Sequence, residues 1–169
     1  MCAGEIHQLV KRGEDHLSVE EYLDIISGKT GALLVACAQL GASLGTTDTA
    51  VLQGLGEFAN HLGIAFQIRD DILDADSSSE KIGKSAGRDA ALGKLTLPGI
   101  LARDSSGVDL PLGGEERRKF ILQHEGFEKA HEFACNHVTK ATQALGILQD
   151  HPARDRLIQF ANQSVLRKA

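Results

Sequence analysis

The sequence predicts an all-α protein, and two observations carry that prediction. Apolar residues recur at three- and four-residue intervals in several long segments, which is the spacing of one face of an α-helix. No stretch of useful length alternates apolar and polar residues with the period of two that a half-buried strand requires. Of the 169 residues, 42% are apolar and 24% are charged, as is ordinary for a protein with a packed core. We therefore expect one helical domain over residues 1–169.

Two long helices are predicted in the first half of the chain. Ser18 and Glu21 have the spacing of a capping box, in which each side chain can bond a free amide of the first turn, so a helix begins there. It continues, with a kink expected at Gly28, into an apolar and small-residue stretch at residues 31–45 that we interpret as a buried core helix. A second helix runs from about residue 49 to 75 and becomes acidic at its C-terminal end.

The second half of the chain is predicted to contain two loops and three shorter helices. A serine- and glycine-rich charged segment occupies residues 76–93, and a second loop occupies residues 105–114. Helical periodicity then returns in three segments, which are residues 115–124, 128–148 and 154–166.

Composition makes several classes of protein unlikely candidates for this chain. The net charge of −5 and the few aromatic residues disfavour binding to nucleic acid. Cys2, Cys37 and Cys135 are odd in number and far apart, which predicts neither disulfides nor a zinc site and favours a reducing, cytoplasmic location. The most apolar stretch is shorter than the roughly 20 residues that span a bilayer, and no charged leader precedes it. No membrane span is expected.

The chemically most informative segment is the acidic end of the second helix. Gln67, Asp70 and Asp74 lie about one turn apart on one helical face, with Asp71 beside them. Two carboxylates about 4 Å apart repel by on the order of 1 kcal/mol in water and by about 4 kcal/mol at an effective dielectric constant near 20. Mg²⁺ would offset that cost, because it prefers carboxylate oxygens and completes its shell with waters and phosphates. Acidic clusters at helix ends are also common on solvated surfaces, so the motif alone is weak.

Basic residues flank the acidic helix and strengthen the case for a phosphate ligand. Phosphates need cations and hydrogen-bond donors from the protein. The flanking basic residues are Lys29, Lys81, Lys84, Arg88 and Lys94, and Thr30 follows Lys29 directly. The combination predicts a clamp for a diphosphate made of metal and lysines.

Three segments occur in a familiar order and spacing. They are Gly28-Lys-Thr-Gly-Ala-Leu-Leu34, Phe66-Gln-Ile-Arg-Asp-Asp-Ile-Leu-Asp74, and a third with the pattern G-K-x-x-G-R-D-x-x-x-G-K-L-T-L-P at residues 83–98. Together they resemble the trans-isoprenyl diphosphate synthase (polyprenyl synthetase) family, and the similarity extends over essentially the whole chain. The resemblance implies a helical bundle of the isoprenoid synthase type, of which this chain is the C-terminal part.

The resemblance also implies a reaction in isoprenoid biosynthesis. Such a prenyltransferase ionises an allylic diphosphate with the help of Mg²⁺, joins the cation to isopentenyl diphosphate and releases a proton. The resemblance further implies that Lys29, Thr30, Gln67 and Asp70 are catalytic. The implied metal ligands are Asp70, Asp71 and Asp74, and the implied diphosphate-binding residues are Lys29, Thr30, Gln67, Lys84 and Lys94. Gln8 resembles a polar residue that faces the cavity, although it and Glu5 fit surface positions equally well.

The chain departs from the family by lacking its first aspartate-rich motif. The residues that bind isopentenyl diphosphate and those that set product length also lie upstream in the family, and entry in mid-helix at Met1 favours a truncated chain. A diphosphate must be held between metals from two facing helices, so we expect these residues alone to be inactive. We also expect an exposed apolar face that associates with the missing N-terminal half or forms a homodimer.

Two other functions fit parts of the pattern. One is a non-catalytic or regulatory subunit of a heteromeric prenyl synthase, which retention of all three aspartates disfavours. The other is a terpene cyclase, which the lysine-bearing segments disfavour. His61 and His131 lack the spacing of a metal-binding pair and are expected to be structural or exposed.

Overall fold

All regular secondary structure in the described part of the chain is helical, which confirms the all-α prediction. The computed structural model describes residues 2–10, 16–76, 94–112 and 114–167. The helices are α1 (Cys2–Val10), α2 (Val19–Ile26), α3 (Ala32–Ser43), α4 (Thr49–Asp76), α5 (Leu97–Ser106), α6 (Gly114–Gln123), α7 (Gly126–Ala144) and α8 (Pro152–Ser164). A π-helical turn, Ser27–Gly31, joins α2 to α3, and a 3₁₀ turn, Leu145–Ile147, follows α7.

Helix α2 begins with the predicted capping box. The Ser18 hydroxyl accepts a hydrogen bond from the Glu21 amide at 3.1 Å, and the Glu21 carboxylate accepts one from the Ser18 amide at 2.9 Å. The helix then buries Tyr22, Ile25 and Ile26. Removing these apolar side chains from water contributes roughly 1.5–3 kcal/mol each, so α2 is anchored from its first turn.

Helix α4 is the centre of the molecule. Its 28 residues match the predicted bounds to within one residue, and it packs against α3 on one side and α7 on another. The side chains that it buries recur with helical spacing. They include Phe58, Leu62, Ala65, Ile68 and Ile72. Because α4 is fixed along its length, the polar residues at its C-terminal end are held in place by the core.

Close backbone contacts of glycines bring the π-helical turn against two other helices. A Cβ atom on Gly4 would lie 2.6 Å from the Lys29 amide nitrogen, and one on Gly63 would lie 3.0 Å from the Gly31 Cα. Real Cβ atoms essentially never lie closer than 3.0 Å to another atom, and at 3.0 Å the neighbour must already shift by a few tenths of an ångström. Glycine therefore lets α1 and α4 contact the turn directly on either side.

The prediction that residues 31–45 form a buried helix is wrong. Helix α3 is present, but none of its residues is buried. Leu33 is 47% exposed, Leu40 69% and the following Leu44 91%. The physical reason is that the apolar and small residues extend all around this helix, whereas α4 covers one side of it.

The helical run Val19–Ser43 is long and apolar enough to cross a bilayer, judged by length and composition among the described residues. A single run of this kind is weak support for a membrane span, because the core helix of a water-soluble protein passes the same test. The apolar stretch at residues 31–45 is thus one end of a longer helix. The expectation of no membrane span stays a prediction.

Helix α5 is absent from the predicted elements. Pro98 occupies its first turn, where the missing amide hydrogen costs nothing, and Gly107 with φ 68° ends it. The loop predicted from residue 105 therefore begins two residues later. The helix is short and buries Leu97, Ile100 and Ala102, and its apolar residues form one run at its start that gives no clear helical period.

A histidine pair lies in the contact between α4 and α7. The Nδ1 atoms of His61 and His137 are 3.1 Å apart, so one ring donates a hydrogen bond and the other accepts it. Burial lowers the pKa of His137 to about 4, helped by His61 and Lys140. Burial and Lys140 lower the pKa of His61 as well, although Glu57 opposes this. The pair is therefore neutral in the folded protein near pH 7.

Candidate functional site

The predicted Lys29 and Thr30 both lie on the π-helical turn. A π-helical turn is uncommon, and turns of this kind occur frequently at functional sites. The turn is fixed by a hydrogen bond from the Ser27 hydroxyl to the Asn60 Oδ1 atom at 2.9 Å. The Lys29 Nζ atom donates to Gln8 Oε1 at 2.9 Å, which places α1 beside the candidate site. Gln8 therefore faces the candidate site.

Three of the predicted residues form a continuous hydrogen-bonded chain. The Thr30 hydroxyl donates to Gln67 Oε1 at 3.1 Å. The Gln67 Nε2 atom in turn donates to Asp71 Oδ1 at 3.0 Å. The chain crosses from the π-helical turn to α4, so it ties the Lys29–Thr30 segment to the acidic motif.

Asp71 is buried, with 2% of its surface exposed. Its Oδ2 atom accepts a hydrogen bond from the hydroxyl of Tyr22, also buried, at 2.7 Å. Its Oδ1 atom lies 3.4 Å from Lys94 Nζ. Burial of a charge is costly unless hydrogen bonds and an opposite charge compensate, and Asp71 has both.

Asp70 points to a different side of α4 and is paired with the C-terminal segment. Its Oδ1 atom accepts a hydrogen bond from Arg167 Nη2 at 2.7 Å, and both side chains are about 40% exposed (41% and 39%). The guanidinium of Arg167 also lies 4.0 Å from the ring centroid of Phe66. Arg69 donates two hydrogen bonds to the Arg167 carbonyl oxygen. The C-terminal part of α4 and Arg167 are therefore held together by several contacts.

The three aspartates do not converge on one point. Among the residues that the structure describes, no three His, Cys, Asp or Glu side chains are arranged to hold a metal ion together. Successive residues on a helix are rotated by about 100°, so Asp71 turns into the core while Asp70 and Asp74 lie on the partly exposed side. Asp74 lines a small cavity with Lys94 and Arg117.

The predicted residues thus fall into groups. Thr30, Gln67, Asp71 and Lys94 form one connected network, and Lys29 lies at its edge. Lys84, like Lys81 and Arg88, lies outside the described residues. The sequence interpretation missed Tyr22 and Arg167, and no local spacing could have identified them, because their partners are 49 and 97 positions away.

The exposed carboxylates have the chemistry that Mg²⁺ requires. Asp70 and Asp74 are hard oxygen donors one turn apart on a partly exposed surface, and Mg²⁺ typically uses one or two carboxylates with waters and phosphate oxygens. Asp71 suits this role less, since it is already bonded to Tyr22 and Gln67 inside the protein. The donor set therefore fits a metal that shares its coordination with a phosphate ligand.

Comparison with protein families places this geometry in context. A family model described as Polyprenyl synthetase matches residues 1–120. The chain belongs to the polyprenyl synthetase family. The predicted resemblance, and the helical fold that it implied, are confirmed.

Individual members of the polyprenyl synthetase family match nearly the whole chain. A short chain isoprenyl diphosphate synthase of Methanothermobacter thermautotrophicus is 34% identical, with 96% of this chain and 54% of that protein covered. A nonaprenyl diphosphate synthase of Mycobacterium tuberculosis is 31% identical, with 99% and 54% covered. The chain thus spans about half the length of these relatives.

Solved structures give the same result. The polyprenyl synthase of Caulobacter crescentus, crystallised with calcium and isoprenyl diphosphate, has a TM-score of 0.89 at 31% identity, with 99% of this chain and 56% of that chain covered. A decaprenyl diphosphate synthase of Rhodobacter capsulatus has a TM-score of 0.86 at 32% identity, with 98% and 55% covered. The chain therefore folds as roughly half of a polyprenyl synthetase.

Proposed function

We propose that this chain supplies the allylic diphosphate half-site of a Mg²⁺-dependent trans-prenyltransferase. The reaction would condense isopentenyl diphosphate with an allylic diphosphate to make a longer trans-polyprenyl diphosphate. The observation that carries the proposal is the network at the end of α4, where one carboxylate, an amide, a hydroxyl and a lysine are joined on a polyprenyl synthetase fold. Lys84, from the segment outside the described residues, is proposed to join them on the diphosphate.

Asp70 and Asp74 are the residues proposed to hold Mg²⁺. When bound there, the metal would neutralise the charge that develops on the leaving diphosphate. Asp70 must first exchange its hydrogen bond with Arg167 for this role. Because that pair is about 40% exposed (41% and 39%), its net stabilisation is small and the exchange is feasible.

Lys29 is proposed to bind the diphosphate and Thr30 to face the carbon that carries it. Lys29 is partly exposed and its ammonium donates to a neutral amide oxygen, so a phosphate oxygen would be a stronger acceptor than Gln8. Gln67 holds the Thr30 hydroxyl from the α4 side. Lys94 contributes positive charge from the segment before α5.

We propose that the half-site needs a second chain segment for turnover. The chain spans about half of its relatives, and a set of large apolar side chains on and around α1 and α3 is exposed. They are Ile6, Leu9, Val10, Leu33, Leu40 and Leu44. Exposed apolar surface of this kind is typical of a face that another protein segment covers. The N-terminal half of a synthase, or a second copy, is the proposed partner, and a cytoplasmic location is proposed with it.

An incorporation assay tests the need for a partner. The chain alone is expected to transfer no labelled isopentenyl diphosphate to geranyl or farnesyl diphosphate. Addition of a chain made from the part of the Rhodobacter capsulatus synthase that has no counterpart here should restore transfer if the two parts associate. The same mixture with Asp70→Ala should stay inactive, and Asp109→Ala, an exposed aspartate elsewhere, is the matched control.

A non-catalytic subunit is the second candidate, and the exposed apolar side chains favour it equally. In that case the chain would raise the activity or stability of a full-length synthase whether or not Asp70 is present. Activity of the mixture that survives Asp70→Ala would therefore identify a structural subunit and contradict the half-site.

A further inference from the structure

We propose that Asp71 is a positioning residue that sets the direction of the Thr30–Gln67 hydrogen bond, and that it is not a metal ligand. This inference rests on the proposed function for its catalytic meaning. Its structural basis is the chain of hydrogen bonds that runs from the buried Tyr22 and Asp71 through Gln67 to Thr30, the last two being partly buried.

The direction follows from the chemistry of the groups. Both oxygens of Asp71 act as acceptors, so the Tyr22 and Gln67 side chains that bond them donate, as does the Lys94 ammonium. Tyr22 donates its hydroxyl proton at 2.7 Å, and Gln67 must turn its NH₂ group toward Asp71 at 3.0 Å. Gln67 then has only its carbonyl oxygen to offer to Thr30, and the Thr30 hydroxyl must donate to it at 3.1 Å.

The consequence lies at Thr30. With its proton committed to Gln67, the Thr30 oxygen presents lone pairs to whatever lies beside it. Lone pairs favour an electron-poor or positively charged neighbour and disfavour an anionic one. In the proposed reaction such a neighbour is the allylic carbon as the diphosphate leaves. Asp71 would thus act on the substrate through two intervening side chains.

The surroundings of Asp71 hold its side chain in place. Lys94 lies 3.4 Å from the oxygen that also accepts from Gln67, which adds a third contact to the carboxylate. Tyr22 is 1% exposed and Asp71 2%, which leaves little surface for water to compete for these bonds. Asp70 is 41% exposed and lacks this enclosure. We therefore assign different roles to Asp70 and Asp71, although they are adjacent in one motif.

Asp71→Asn is the informative substitution because it preserves shape and removes the directing charge. With Lys94→Met also present, no ammonium holds the amide oxygen beside Gln67, so asparagine can accept from Tyr22 with its oxygen and offer its NH₂ group to Gln67, which reverses every later bond. In every test Asp71→Asn is therefore made in this Lys94→Met background and compared with Lys94→Met alone. Gln67 would donate to Thr30, and the Thr30 proton would turn outward. Tyr22→Phe removes one donor but leaves the carboxylate, so the direction should persist.

The first test needs no ligand. In the native protein, nuclear Overhauser effects from the Gln67 side-chain NH₂ protons should be stronger to the Tyr22 ring than to Thr30. The same should hold in the control variant Asp109→Asn, which changes an exposed aspartate elsewhere. The ratio should invert in Asp71→Asn. Native NH₂ protons closer to Thr30, or an unchanged ratio in Asp71→Asn, would overturn the inference.

The second test measures binding by calorimetry with Mg²⁺ and two probes. One is inorganic pyrophosphate, and the other is an ammonium analogue of geranyl diphosphate with its positive charge near the carbon that bears the diphosphate. Asp71→Asn should weaken the analogue about tenfold, as expected for a hydrogen bond to a charged group, and pyrophosphate less than about twofold. In a Thr30→Val background, Asp71→Asn should no longer affect the analogue.

The outcomes separate this inference from the proposed function. Equal weakening of both probes by Asp71→Asn would make Asp71 part of the metal and diphosphate site, overturning the inference while the proposed function stands. Failure of the native chain to bind either probe with Mg²⁺ would contradict the proposed function, and the ligand-free NMR ratio would then decide the inference alone.

Discussion

Asp70 and Asp71 are neighbours in sequence but differ in almost every physical respect. Asp70 is partly exposed and paired with Arg167, whereas Asp71 is buried against Tyr22. The sequence predicts that Asp70 and Asp74 share a face, because helical spacing alone determines that. It does not predict the environment of Asp71, which depends on a tyrosine 49 positions away. Local spacing thus identifies the motif but not the separate roles of its members.

Arg167 is predicted to compete with a metal for Asp70. In Arg167→Ala the affinity for Mg²⁺ with pyrophosphate should rise about twofold to fivefold, because the competing hydrogen bond to Asp70 is lost. Calorimetric titration measures this. The control is Arg156→Ala, which removes an exposed arginine from α8. Unchanged affinity in Arg167→Ala would show that the pair does not restrain Asp70.

The histidine pair predicts that stability falls in mild acid. The pKa of His137 is about 4 in the folded chain against about 6.5 when unfolded. The unfolded chain therefore binds more protons between these values, and stability present above pH 6.5 is lost as the pH falls toward 4. The loss attributable to His137 should be on the order of 2–3 kcal/mol.

Denaturant unfolding at pH 7, 5.5 and 4 checks the histidine prediction. His137→Asn, which keeps a hydrogen-bonding group for His61 but cannot titrate, should flatten the pH dependence. His16→Asn, at an exposed position, should leave the slope unchanged. Equal slopes in native protein and His137→Asn would contradict the assignment.

At the scale of single elements, helix starts with local signals are the most predictable feature. The capping box of α2 is present as predicted because both partners lie within one turn. Ser18→Ala should lower the free energy of unfolding by about 1 kcal/mol, and Ser18→Asn should lower it much less, since asparagine also caps. Denaturant titration distinguishes the two. Equal losses would mean that the cap contributes through something other than its hydrogen bond.

The contact between α1 and the π-helical turn predicts intolerance of a single methyl group. Gly4→Ala would place a Cβ 2.6 Å from the Lys29 backbone, so it should displace α1 and destabilise the chain by about 1–3 kcal/mol. The matched control is Gly41→Ala on α3, where nothing lies within 4 Å of the added methyl group. That change should stabilise the chain by about 0.5–1 kcal/mol. Comparable destabilisation by both changes would contradict the close crossing.

Other elements could not be predicted, for reasons that lie outside the local pattern. Helix α5 is short and its apolar residues form one run at its start, so periodicity cannot distinguish it from a loop or a strand. The exposure of α3 depends on which neighbours cover it, and composition alone suggested a buried helix. The π-helical turn appeared in the sequence only as a Ser-Gly interruption, which predicts a kink but not its geometry.

For the whole molecule, the family and fold were predictable because three motifs occur in a characteristic order between residues 28 and 98. That the chain matches about half the length of its relatives also agrees with the expectation of a C-terminal part. The exposed apolar side chains around α1 and α3 fit an incomplete assembly. We accordingly propose that this chain binds a diphosphate through Mg²⁺ but does not complete the reaction alone.

The measurement that tests this claim most directly is calorimetric titration with geranyl or farnesyl diphosphate, with and without Mg²⁺. Native chain should bind only with Mg²⁺, Asp70→Ala should lose that binding, and Asp76→Ala, an exposed carboxylate at the end of the same helix, should retain it. Binding that is absent under every condition, or equal in native chain and Asp70→Ala, would contradict the diphosphate half-site.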